Sequence, residues 1–187
     1  MIPLYIVLAA VVIFFLWLAA TYNSLVGLRN QVKNAWAQID VQLKRRHDLI
    51  PNLVETVRGY MQHERETLDS VTRARNVAAQ ASGAGVAAQA QAESVLNQAL
   101  GRLLVTVEAY PDLKANQNFL ALQEELTSTE NKIGFARQFY NDQAMQFNNR
   151  IQMFPSNFVA NSFNFKLAEF FEIEVPAERA VPQVSFK

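Results

Sequence analysis

The residues of this chain best suited to acid–base or metal chemistry are two histidines, His47 and His63, and a scatter of carboxylates. Their spacing assembles neither chemistry. A di-iron helical bundle needs Glu-x-x-His on each of two helices, but Tyr60 stands three residues before His63 and Lys44 three before His47. The zinc-protease pattern H-E-x-x-H fails at Thr67. The glycines of SGAGVA follow no strand and lack the lysine of a phosphate loop, so they read as a turn. No G-x-S-x-G elbow occurs. The chain has no cysteine, which removes a thiol nucleophile, a thiolate zinc site and a disulfide framework. No catalytic, cofactor-binding or metal-binding residue is therefore assigned, and an enzyme with an unfamiliar site is the minority reading. Lysine plus arginine equals aspartate plus glutamate at 17 each, so no basic field exists to hold nucleic acid by counterion release.

The polar residues that do stand out are charges on or beside apolar stripes: Arg29, Glu64, Arg75, Glu130 and Arg137. Glu130, Ile133 and Arg137 share one side of a helix by spacing, which lets the two charges face Arg75 and Glu64 in a buried polar cluster. Such pairing fixes register even where it adds little stability. The alternative is that all five snorkel to solvent at the seam edges.

Helices must position these charges. Tyr22, Leu25, Arg29, Val32, Trp36, Ile39 and Leu43 recur at alternating spacings of three and four, the seam of a helix packed lengthwise. A second stripe runs from Leu49 through Leu53, Val57, Tyr60, Glu64, Leu68, Val71 and Ala74 to Ala78, with a turn at 82–85. A third helix spans about 86–110, with Val95, Leu96, Ala99, Leu103, Val107 and Tyr110 inward, and Pro111 closes it. A fourth carries Phe119, Leu122, Leu126, Thr129, Ile133, Ala136, Tyr140, Gln143 and Phe147, and runs to about Arg150. The first two stripes stay nearly in phase across Pro51, yet one helix from 22 to 81 would be about 90 Å long and would outrun the fourth. A turn at 47–51, with Asp48 as cap and Pro51 in the first turn, gives four comparable helices in an up-down-up-down bundle. The expected organisation is an all-α chain: an anchor over 1–21, a four-helix bundle over 22–150, and an aromatic-rich segment and tail over 151–187.

The anchor is the stretch 3–20, PLYIVLAAVVIFFLWLAA, which carries no charge. With its neighbours it makes about twenty residues, or roughly 30 Å of helix, the thickness of a bilayer core. Tyr5 near one end and Trp17 and Tyr22 near the other suit the membrane–water interface. A cleaved signal peptide is the alternative, but no basic residue precedes the run and no A-x-A site follows it. Arg29 and Lys33 follow the span, while no basic side chain precedes it. The positive-inside rule thus places the N-terminus outside and the C-terminal domain in the cytoplasm.

Three blocks carry a family resemblance: YNSLVGLRNQVKNAWAQIDVQLKRRHDLIPNLVETVRGYMQHE over 22–64, YPDLKANQNFLALQEELTSTENKIGFARQFYN over 110–141, and FPSNFVANSFNF over 154–165. In this order they resemble the LemA family of bacterial membrane proteins, over nearly the whole chain. The resemblance implies an anchored four-helix bundle of the bacterial inner membrane, without an established catalytic activity and with no catalytic motif to carry over. Genes similar to this family's neighbour that of a membrane zinc metalloprotease in some bacteria, which implies, by association only, an accessory role in envelope maintenance.

Ten of the thirteen phenylalanines lie at or after Phe135, and FPSNFVANSFNFKLAEFFEIE is too irregular for a further long helix. Its aromatic surface is unfavourable in water. It closes its own bundle, docks on a neighbouring subunit or touches the bilayer; in the second case Phe158, Phe163, Phe165, Phe170 and Phe171 are the oligomer contacts. The last dozen residues read as an extended tail. Small residues in the span, Ala9, Ala10, Ala19 and Ala20, allow helices to pack in the membrane. Copies sharing one orientation close as a ring or cage. The function expected is a structural scaffold of the inner membrane acting through homo-oligomerisation, with the lipid bilayer as a further partner. The alternative is an accessory subunit of a membrane protease.

Overall fold

The computed structural model describes residues 2–61 and 63–172; the extended tail expected over 176–187 lies outside them. The described chain is all-helical. Its elements are α1 (Ile2–Arg58), α2 (Arg65–Gln80), α3 (Val86–Val107), the single turn α4 (Pro111–Lys114), α5 (Gln117–Gln152) and α6 (Ser156–Ser162).

The turn expected at 47–51 is not there. α1 runs through Pro51 without interruption and ends instead at Arg58, with α2 beginning at Arg65. Proline inside a helix lacks the N–H that would bond the carbonyl four residues earlier, here that of His47. Arg75 supplies the missing donor: its Nε donates to the His47 carbonyl at 3.0 Å. A buried carbonyl thereby keeps a partner, and the helix tolerates its proline. The new break also satisfies the length criterion. Beyond the apolar span α1 keeps about 37 residues, or roughly 55 Å, and α5 has 36.

The remaining turns follow local chemistry. Gly83 and Gly85 take φ values of 85° and 110° between α2 and α3, a region that side chains with a Cβ rarely occupy. Pro111 begins α4, where a missing N–H costs nothing. Asn116 caps α5, its Oδ1 accepting from the backbone N–H groups of Asn118 at 2.9 Å and Phe119 at 3.0 Å.

The chain divides into two compact units. Unit one comprises Met1–Ile39 and Phe135–Phe170; unit two comprises Asp40–Gly134 with the chain from Phe171 onward. In unit two, Leu53, Val57, Met61, Leu68, Val71, Leu96, Leu103, Leu113 and Phe119 form one apolar core drawn from five helical segments, with Leu122 and Leu126 packed half-buried against it. Val95, expected inward, faces solvent. The buried face of α3 is turned toward Gln89, Glu93, Leu96 and Leu103.

In unit one α1 and α5 run antiparallel, the Trp36 ring meeting that of Tyr140 and the Tyr22 and Phe147 rings both meeting Phe165, and Leu25, Val32, Ile39, Tyr140, Ala144 and Phe147 are buried. The segment after α6 straps back along α5. Asn148 grips Ala168 on both backbone groups: its Oδ1 accepts from the Ala168 N–H at 2.8 Å and its Nδ2 donates to the carbonyl at 2.9 Å. Tyr140 Oη donates to the Glu169 carbonyl at 2.8 Å. Burial, and next the charge of Glu169, raise the Tyr140 phenol above its ordinary value. The N-terminal part of α1 is long and apolar enough to cross a membrane, and almost none of it is covered by protein. Tyr5, Trp17 and Tyr22 are all exposed along it.

Candidate functional site

The most concentrated polar chemistry lies inside unit two. Arg46 and His47 come from α1, Gln89, Glu93 and Asn97 from one face of α3 at spacings of four, and Glu130 from α5. Arg46 is 1% exposed, Glu93 1% and His47 6%. Arg46 uses Nη2 for Glu93 Oε2. Its Nη1 donates to Glu130 Oε2 at 2.5 Å and to Asn97 Oδ1 at 2.6 Å. The other oxygen of Glu93 accepts from His47 Nε2 at 2.9 Å and from Gln89 Nε2 at 2.7 Å. Gln89 also donates to the Ala78 carbonyl at 3.3 Å, which ties in the end of α2. The neighbouring Arg45, partly exposed, pairs with Glu125.

Burial is the largest influence on the Glu93 carboxyl and pushes it up. The hydrogen bonds and charges of His47 and Arg46 together outweigh it, and the group is held below the ordinary carboxylate range. Glu93 is thus the anionic centre of a clasp joining α1, α3 and α5. Its acid–base capacity is closed off from solvent. Among the described residues no group of three or more His, Asp or Glu side chains has the arrangement to hold a metal ion.

On one side the clasp opens into a groove of about 350 Å³, where Arg46, Asn97 and Glu130 meet Leu53, Leu100, Gly101, Leu104 and Leu126. Gln123, Thr127 and Asn131 also line the groove.

Of the five charges singled out in the sequence, Glu64, Arg75 and Glu130 lie in unit two. Glu130 joins the clasp through Arg46, and Arg75 serves the His47 carbonyl. Glu64 accepts a long bond of 3.5 Å from Tyr110 Oη. Arg29 and Arg137 belong to unit one. The Arg29 guanidinium lies 5.4 Å from the centre of the Phe165 ring, a cation–π contact, and Arg137 is half-buried. Arg46 and Glu93, the heart of the clasp, are not among the five. A signal for both exists: the stripe continues Leu43, Arg46, Ile50, Leu53 and Val57 at alternating threes and fours, and Gln89, Glu93 and Asn97 repeat every four.

Of the aromatic residues expected to contact a neighbour, Phe171 is buried and Phe165 half-buried, the latter with rings of Tyr22 and Phe147 at 5.9 and 6.3 Å. Phe158, Phe163 and Phe170 remain exposed.

The chain is 28% identical over 165 residues to Protein LemA of Metamycoplasma hominis, covering 87% of this chain and 75% of that protein. It is 26% identical over 192 aligned residues to Magnetosome protein MamQ 2 of Paramagnetospirillum magneticum, covering 90% and 70%. A MamQ of Magnetospirillum gryphiswaldense is similar at 25% identity over the same shares. None of these descriptions names an enzymatic activity. Residues 35–186 match the LemA family, and the chain belongs to it.

Proposed function

We propose that this protein is a non-enzymatic scaffold of the bacterial inner membrane that acts by self-association, its N-terminus outside and its helical domain in the cytoplasm. The observation that carries the reading is α1 itself, which is bare over its first third and passes without a break into the packed helix of unit one. An anchor continuous with its domain holds every copy in one orientation. Confinement to a plane raises effective concentration, so modest contacts suffice for assembly, and copies related by rotation about the membrane normal close as a ring or cage. Family membership and the likeness to MamQ support a membrane-associated protein without a reaction of its own.

A surface for self-association is available on α5. Phe135 is 74% exposed, and Phe139, one turn on, is also exposed. Glu169 is tied to Tyr140, so the exposed Phe170 emerges beside the same stretch. An uncovered aromatic patch of this kind usually has a partner.

Mass measurement of the full chain in lipid nanodiscs tests the proposal. A defined homo-oligomer is expected, dispersed by Phe135→Glu together with Phe139→Glu while helicity by circular dichroism is unchanged. A monomer in several lipid compositions overturns the scaffold reading. A stoichiometric protease copurified from native membranes replaces it with the accessory role.

A further inference from the structure

The chain from Ile151 to Phe165 contains no charged residue, and Arg150 and Lys166 flank it. Within it Met153, Phe154, Phe158 and Phe163 are all more than half exposed, and the rings of Phe154 and Phe158 meet edge to face at 6.0 Å. So much bare aromatic surface is unfavourable in water.

Its position along the helices says what covers it. In unit one the rings of Trp36 and Tyr140 meet at 5.4 Å, which sets the register of the antiparallel pair. Twelve residues forward from Tyr140 α5 ends at Gln152, and twelve back along α1 from Trp36 is Ser24, two residues from Tyr22, so the end of α5 stands close to the level of Tyr22. The segment returns to that level at its other end, where the Phe163 ring lies 4.7 Å from the Tyr22 ring. Tyr22 directly follows the apolar stretch of α1. The loop 153–155, α6 and Phe163 therefore occupy the height at which the span leaves the hydrocarbon.

We propose that this segment is a second membrane contact: a foot that lays Met153, Phe154, Phe158 and Phe163 into the interface of the same bilayer that α1 crosses. This rests on the reading of α1 as an anchor. Aromatic rings prefer the interfacial depth, and a short surface element of this kind settles about 5–10 Å into the headgroup–acyl boundary. Arg29, Lys33 and Lys166, all exposed in unit one, supply cations for anionic headgroups. With two contacts, the tilt of unit one on the membrane is fixed.

The test uses full-length protein in vesicles of phosphatidylcholine and phosphatidylglycerol, with and without bromine atoms on the upper acyl carbons. The two tryptophans, Trp17 and Trp36, are replaced by Phe, and a single indole reporter is installed by Phe158→Trp. Phe154→Trp gives a second reporter, and Asn34→Trp, well along α1 from the span, gives the negative control. A chain keeping only Trp17 reports the anchor. The indoles at positions 158 and 154 are expected to lose about half or more of their emission to brominated lipid, as suits side chains at interfacial depth. Trp17 should be quenched as well, and the indole at position 34 should be unaffected. Quenching of Trp17 without quenching at 154 or 158 overturns the foot and leaves the anchor standing. A blue-shifted but unquenched reporter at position 158 overturns it in favour of a neighbouring copy. Absence of quenching at Trp17 overturns anchor and foot together.

Discussion

The two units solve one packing problem by different means. Unit two surrounds its stretches of α1 and α5 with two further helices, and the interior holds both an apolar core and a buried ionic clasp. Among the described residues, unit one adds only the seven-residue α6 to its stretches of α1 and α5. The seam between them is covered by a non-helical strap held through side-chain hydrogen bonds to its backbone. A helix satisfies its own backbone and needs only an apolar face, whereas an irregular segment must find a partner for each buried N–H and C=O. Asn148 and Tyr140 are those partners. The comparison implies that unit two is the stable body and unit one the adaptable one.

The largest test of that contrast is in the clasp. Glu93→Ala leaves the Arg46 charge buried beside only the half-exposed Glu130 carboxylate and is expected to cost about 3–5 kcal/mol, measured by urea unfolding. Joint replacement by Arg46→Met and Glu93→Leu should recover most of the loss, because a buried pair contributes more to register than to net stability. The pH dependence has a defined sign. The folded-state Glu93 carboxyl lies below its ordinary value of 4.5, so its contribution is present above that pH and fades as the pH falls through the folded value. Glu93→Gln should flatten this acid limb. A variant that keeps the wild-type acid limb would show that other carboxylates govern it.

Next in size is the face of α5. Ile133 is 2% exposed, whereas Leu126 is half-buried at the edge of the groove. Ile133→Ala should cost about 2–5 kcal/mol, and Leu126→Ala distinctly less. Equal losses would place the groove inside the core in solution.

How far this was legible in the sequence depends on the element. The span, the stripe of α5 and the turn at 82–85 follow from charge-free length, heptad spacing and glycine, all of them local signals. α1 does not break where Pro51 predicts, because Pro51 is a local signal with a distant remedy: the donor that replaces its N–H is Arg75, 24 residues on. The same signal hides Arg46. At the end of a helix that stops before 47 it is one basic residue among several, although a continuous helix puts it on the stripe between Leu43 and Ile50. The strap escaped for a different reason, since Asn148 and Tyr140 bond to backbone and no side-chain pattern marks their targets.

The strap itself offers a smaller effect. Tyr140→Phe should cost about 0.5–1.5 kcal/mol and act locally, speeding hydrogen exchange at Ala168 while leaving the amides of α3 unchanged. Because burial holds the Tyr140 phenol above its ordinary value of 10.0, its contribution is complete below that pH and is lost as the pH rises through the folded value. Phe at 140 should remove that alkaline loss. Global destabilisation by this variant would mean that the units unfold as one.

The smallest effect is a coupling energy, and it isolates the long-range remedy for Pro51. Arg75→Ala leaves the His47 carbonyl without its donor, at a cost of about 1–3 kcal/mol. Pro51→Ala restores a backbone N–H that can bond that same carbonyl, and it also relieves the clash of the ring with the preceding turn. In the Pro51→Ala background the arginine is no longer needed for this carbonyl, so Arg75→Ala should cost less by about 0.5–1 kcal/mol, within the range of coupling between residues that share a partner. Two single variants and the double variant, each measured by urea unfolding, give the value. A coupling of zero would mean that Arg75 stabilises unit two only by packing its aliphatic stem, and that α1 carries its proline without help from α2.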